Sequence, residues 1–140
     1  MAYFKLERTI HAPLEKVWAA ADFTKSCDPL PMQVAKEGDP ALLGVGFERA
    51  VSANGMKVVE RLVAIDPPHS YSYTMVSGVP VKEGYLGKAE FTEKDGATMI
   101  TWSGIFTPKI PCTGWLISFM TKKTINKIID AIDEKSRKAV

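Results

Sequence analysis

From residue 46 to 107 the chain never runs beyond roughly a dozen residues without a turn signal, the spacing of short consecutive strands. Residues 46–51 lead to Asn54-Gly55, and residues 56–65 stop at Asp66-Pro67-Pro68. Residues 70–76 stop at Gly78 and Pro80, residues 84–92 lead to Asp95-Gly96, and residues 97–107 end before Pro108. Asn-Gly and Asp-Gly each supply two neighbouring residues that tolerate positive φ, which a two-residue hairpin needs. Apolar residues alternate with polar ones along these segments, so the pattern predicts an antiparallel meander.

The flanks complete the plan. In residues 2–10, Phe4, Leu6 and Ile10 share one face of a half-buried strand, interrupted only by Arg8. Pro13 then opens a short amphipathic helix over 13–22, with Glu15 in its first turn and Leu14, Val17, Trp18 and Ala21 on one side. Two prolines within 26–32 limit that stretch to a turn or a single helical turn, and residues 33–38 read as a short strand. Residues 111–140 form one long helix, with Ile117, Thr121, Thr124, Ile125, Ile128, Ile129 and Ile132 along one face. The meander must cover its apolar face, and this helix is the one element long enough to do so. The expected class is α+β: one domain over residues 1–140, a curved antiparallel sheet of about six or seven strands wrapped around the C-terminal helix, and two short helices after the first strand.

Several classes of function are disfavoured. The net charge of +2 gives no footing for nucleic acid. No apolar run has membrane-spanning length, and the start MAYFKLERTI lacks a basic segment followed by an apolar one, so a cytoplasmic protein is expected. Cys27 and Cys112 suit free thiols, and no metal-ligand spacing or nucleotide-binding glycine motif occurs, so neither metal nor cofactor is expected. His69 falls in a turn and His11 ends the first strand. Cys27 has no base near it in sequence that would make it a nucleophile.

Strand parity identifies the concave face. It carries Phe47, Arg49 and Val51 on one strand and Val58, Glu60, Leu62 and Ala64 on the next. Tyr71, Tyr73 and Met75 follow, then Tyr85, Gly87, Ala89 and Phe91, then Ile100, Trp102, Gly104 and Phe106. A solid core avoids Arg49 and Glu60, because a buried charge costs several kcal/mol unless paired. Two readings follow: a structural Arg49–Glu60 ion pair, or an apolar small-molecule pocket with a few polar groups. The expected pocket wall is Phe47, Arg49, Glu60, Tyr73, Met75, Tyr85, Trp102 and Phe106 from the sheet and Ile128 from the helix.

Residues 110–120 are apolar nearly all round, with Leu116, Phe119 and Met120 off the isoleucine stripe. Burial under the loops near 24–32 and 78–84 would explain this. A cavity portal, a dimer contact or a membrane-surface contact aided by Lys109, Lys122 and Lys123 would explain it equally.

The ordered set Ile10-His-Ala-Pro13 with Val17-Trp18, Gly46-Phe-Glu-Arg49, Asn54-Gly55, Glu60-Arg61-Leu62, Tyr71-Ser-Tyr73, Pro80 with Tyr85, Asp95-Gly96 and Thr101-Trp102 before Phe106-Thr-Pro108 resembles the SRPBCC superfamily. This START-like, helix-grip group includes polyketide cyclase/dehydrase-like and lipid-transport proteins, and the likeness spans almost the whole chain. Its plant abscisic-acid receptors bind ligands, whereas its lachrymatory-factor synthase is an enzyme. The resemblance implies that Arg49, Glu60 and Tyr85 line a cavity. The first function it implies is binding of a lipid, polyketide or isoprenoid. The second is a cofactor-free cyclase, dehydratase or isomerase with Glu60 as acid or base, Arg49 holding an anionic oxygen and Tyr85 donating a hydrogen bond. The third is a macromolecular partner role, as in the ribosome-associated or respiratory-quinone chaperone branch of the superfamily, which the near-neutral charge does not support.

Overall fold

The alternation of the first residues becomes strand β1, Ala2–Ile10, in the computed structural model, which describes residues 1–138. Helix α1 (Leu14–Ala20), strand β2 (Met32–Lys36) and a short 3-10 turn (Pro40–Leu42) follow. The meander is β3 (Glu48–Ala53), β4 (Met56–Asp66), β5 (Ser70–Ser77), β6 (Leu86–Lys94) and β7 (Ala97–Phe106), and α2 (Gly114–Lys138) closes the chain. The strands form one 7-stranded sheet in the order β1-β7-β6-β5-β4-β3-β2. Every pairing in it is antiparallel.

Both dipeptide turns adopt the geometry their residues favour. Asn54 and Gly55 have φ of 53° and 75°, and Asp95 and Gly96 have 54° and 79°, as a type I′ hairpin requires. One of the two short helices expected after β1 forms. Residues 21–31 run instead as turns, with the Leu30 amide donating to the Cys27 carbonyl at 2.9 Å. Pro29 and Pro31 remove amide hydrogens that a second helix would need.

Parity also fails at one point. A bulge in β4 shifts the register between Leu62, opposite Tyr73, and Ala64, opposite Ser72. Past it the faces exchange: Ala64 is exposed and Ile65 packs against the core. Arg8, the polar break in β1, reaches across to α2. Its Nη1 donates to the Asn126 carbonyl at 3.1 Å and pairs with Asp130 Oδ1 at 2.6 Å.

The concave face is not filled evenly. Around α1 it is crowded with aromatic rings, Trp18 meeting Phe91 edge-on at 5.3 Å and Phe23 meeting Tyr71 at 5.5 Å, beside a space of about 150 Å³ bordered by Trp18, Phe23, Leu62 and Tyr71. Toward the β3–β4 hairpin and the first turns of α2 the face is hollow.

Candidate functional site

The hollow is a cavity of about 130 Å³. Val51, Val58 and Met75 form its sheet side, Val79 and Pro80 close it from the β5–β6 loop, and Ile117, Met120, Ile125 and Ile128 cover it from α2. Leu30 and Cys27 reach it from the loop after α1. At its polar end stand Arg49 and Glu60, directly opposite each other on β3 and β4.

The pair is built into the protein from three sides. Arg49 is 3% exposed, and its Nε donates to Glu60 Oε1 at 2.8 Å. Its Nη1 donates to the carbonyls of Phe23 at 3.1 Å and Ser26 at 3.4 Å. The guanidinium carbon lies 3.8 Å from the centroid of the Phe23 ring, a cation–π contact. Burial by itself works to lower the Arg49 pKa. The neighbouring Glu60 carboxylate outweighs that loss and holds it above its ordinary value. Among the described residues, neither Arg49 Nη2 nor Glu60 Oε2 makes a hydrogen bond.

Tyr73 and Trp102 stand beside this pair on the cavity wall. Trp102 Nε1 donates to Tyr73 Oη at 2.9 Å, and the Tyr85 ring lies beside Tyr73 at 6.1 Å. Cys27 is the close neighbour that sequence distance concealed. Burial pushes its thiol up to about 11, and the Arg49 charge offsets only part of that rise. A thiol so placed is neutral at physiological pH and suits a wall better than a nucleophile.

Of the residues expected on the wall, Arg49, Glu60, Tyr73, Met75, Trp102 and Ile128 line the cavity. Phe47, Tyr85 and Phe106 do not: all three point inward, but into packed layers. Phe47 meets Phe23 edge-on at 6.3 Å, and Tyr85 stacks on Phe106 at 5.8 Å. The Tyr85 hydroxyl is buried and has no hydrogen-bond partner among the described residues. Burial first, and then the Glu60 carboxylate, push it well above the ordinary tyrosine range. The wall residues that parity missed, Cys27, Leu30, Val79 and Pro80, come from loops, where no strand period signals direction.

The hairpin end of the cavity is formed by Ala53, Asn54 and Met56 with Met120, Thr121 and Thr124 of α2. Asn54 Nδ2 donates to Thr124 Oγ1 at 3.2 Å there. The apolar segment 110–120 is split between two roles. Ile117 and Met120 face the cavity, whereas Ile110, Trp115, Leu116 and Phe119 are exposed, so loops do not bury the segment as a whole. Among the described residues no group of His, Cys, Asp and Glu is arranged to hold a metal ion, and no helix is long and apolar enough to cross a membrane.

The same architecture recurs in solved structures. The protein XoxI from Bacillus cereus is 22% identical, with 97% of this chain and 96% of that one covered and a TM-score of 0.74. A protein from Thermus thermophilus is 16% identical, with 98% of each chain covered and a TM-score of 0.75. Ara h 8.0201, a Bet v 1 homologue, is 23% identical, with 97% of each chain covered and a TM-score of 0.71. Identities this low carry the fold and nothing finer. Comparison with the curated proteins gives no match. A family model for polyketide cyclase/dehydrase and lipid transport matches residues 1–135. With its helix gripped by a curved sheet over a partly hollow core, this chain belongs to that family, within the SRPBCC superfamily.

Proposed function

We propose that this protein binds a hydrophobic or aromatic small molecule, of lipid, polyketide or isoprenoid type, in the cavity between the sheet and α2. One observation carries this reading: an apolar hollow ends at a buried Arg49–Glu60 pair that retains free hydrogen-bonding atoms. Those atoms are not spent on bonds within the protein and are open to a polar group entering the hollow. The volume of about 130 Å³ is close to the roughly 150 Å³ of an apolar cavity that takes up benzene, so one ring fits with α2 as it stands. A longer ligand requires the first half of α2 to swing outward.

The test is native mass spectrometry on freshly purified protein, alongside a Met75→Trp variant whose indole fills the hollow. The expected result is an adduct of small-molecule mass on the native chain that is lost from the variant. A native chain free of adducts that also takes up no one-ring apolar probe would overturn the reading.

A second reading is a cofactor-free cyclase, dehydratase or isomerase, favoured by the unpartnered Tyr85 hydroxyl near Glu60. There Glu60 is the acid or base, Arg49 steadies a developing oxyanion and Tyr85 donates a hydrogen bond. It demands that Tyr85 reach the ligand, and Tyr85 is off the cavity wall. Conversion of the copurified molecule by the native chain but not by Tyr85→Phe would favour this reading over binding alone.

A further inference from the structure

We propose that the cavity selects a neutral apolar molecule bearing a hydroxyl group, a phenol or an alcohol, and discriminates against carboxylates. This rests on the reading of the cavity as a ligand site and goes beyond it by fixing the chemistry of the ligand's polar end.

Charge comes first, and then the free hydrogen-bonding atoms. Arg49 is the cation on the wall, and its charge is already matched by Glu60 at 2.8 Å. Lys135, which lies outside the cavity, is held by Asp28 Oδ2 at 2.6 Å and by Ser26 Oγ at 2.8 Å. An anionic ligand would therefore give up its hydration and meet a pair with no net charge, a position that disfavours any buried ion.

What the pair offers is one acceptor and one donor. Glu60 Oε2 accepts and Arg49 Nη2 donates. A ketone or ether uses a donor but leaves Glu60 Oε2 desolvated and unpaired. An ammonium group satisfies Glu60 but stands against Arg49. A hydroxyl donates to Glu60 and accepts from Arg49 with a single oxygen. Between this pair and the Asn54, Thr121 and Thr124 side chains at the hairpin end the wall is largely apolar, so the hydroxyl sits at the inner end of a mainly hydrocarbon molecule.

Three one-ring probes of similar size separate the possibilities: phenol, toluene and benzoate, titrated at pH 7 and followed by calorimetry and by the fluorescence of Trp102 on the wall. The expected order is phenol at least tenfold tighter than toluene and at least tenfold tighter than benzoate. In Glu60→Gln the cavity-facing oxygen becomes an amide NH₂, a donor. There phenol should fall to within about threefold of toluene, and benzoate should gain. Toluene or benzoate binding the native chain as tightly as phenol would overturn the inference and leave the cavity reading standing. None of the three binding would overturn both. If Glu60→Gln does not fold, the ranking on the native chain still decides.

Discussion

In its second half α2 buries Ile125, Ile128, Ile129, Ile132 and Ser136 against the protein, whereas between residues 114 and 124 it buries none. The second half is also tethered on both sides, to β1 through Arg8–Asp130 and to the loop after α1 through Lys135–Asp28. The first half meets the β3–β4 hairpin through the single Asn54–Thr124 hydrogen bond. Both halves lie on the same isoleucine-rich stripe. They differ in what stands opposite: Ile129 and Ile132 pack into the core, Ile125 and Ile128 are buried at the border of the cavity, and Ile117 and Met120 face only the cavity. An amphipathic stripe specifies that a helix face turns inward, but the size of the facing side chains decides whether that face is anchored or merely roofs a space. The anchored half is held by burial and two ion pairs, and the roofing half is held more lightly.

The sharpest way to break this contrast is a truncation in the anchored half. Ile129 is fully buried, and Ile129→Ala removes packed methylenes and leaves a void, so it should lower stability by about 2–5 kcal/mol in urea unfolding. The matching change in the roofing half, Ile117→Ala, enlarges a space that already exists and should cost about half as much or less. Equal losses would dissolve the distinction between the halves.

High pH probes the packed wall that α2 rests on. The Cys27 thiol ionises near 9.0 in an unfolded chain and near 11 in the folded one, because burial disfavours the thiolate. A raised folded value means that stability is intact below about pH 9 and falls as pH rises, since the unfolded chain releases its proton first. Two pH units correspond to about 3 kcal/mol once the pH has passed 11. Burial likewise raises Tyr71 and Tyr73, which adds to the loss above the ordinary tyrosine range. The urea midpoint should therefore hold steady from pH 7 to 9 and then drop steeply, and Cys27→Ala should soften the first part of that drop. A flat midpoint to pH 11 would show the wall to be hydrated.

How much of this was legible beforehand follows from where the information lies. Hairpin positions are local, and Asn54-Gly55 and Asp95-Gly96 announce them because few other dipeptides accept two positive φ values. The helix stripe and the inward pointing of Arg49 and Glu60 are periodic, so counting residues suffices. The β4 bulge is neither: nothing about Val63 marks it as the extra residue, and Ala64 and Ile65 were exchanged as a result. Depth is invisible as well. Phe47, Tyr85 and Phe106 share a face with Tyr73 and Trp102, and only the assembled layers show which rings border space and which fill it. Cys27 comes beside Arg49 through a loop whose path two prolines set, and no residue pattern encodes that meeting.

A smaller effect sharpens the border of the cavity. A Cβ on Gly87 would lie 2.6 Å from Tyr73 Oη and closer still to the ring, so Gly87→Ala must displace that ring. Overpacking of this kind should cost about 1–3 kcal/mol. The ring's remaining room is the cavity, so the variant should also lose binding of one-ring probes while the far-ultraviolet circular dichroism stays native. Retained binding would mean that Tyr73 moves elsewhere and is not part of the wall that shapes the ligand.

The smallest expected effect comes from the outer surface of the roofing half. Trp115 is 73% exposed and Phe119 62% exposed, and Lys122 and Lys123 stand beside them along a groove with Tyr3 of β1. Large size normally makes an aromatic ring a strong contributor to stability, but the contribution scales with area removed from water, and here little is removed. Trp115→Ser and Phe119→Ser should each shift the urea midpoint by less than the equivalent of about 0.5 kcal/mol, the range of ordinary surface changes. They should also leave probe affinity in the cavity unchanged, since neither ring borders it. The same measurement at two protein concentrations guards the result. A loss above about 1 kcal/mol that grows with concentration would mean that a second copy covers these rings. A loss of that size independent of concentration would mean that the roofing half is anchored after all, and the contrast between the two halves of α2 would fail at the end where it is drawn most strongly.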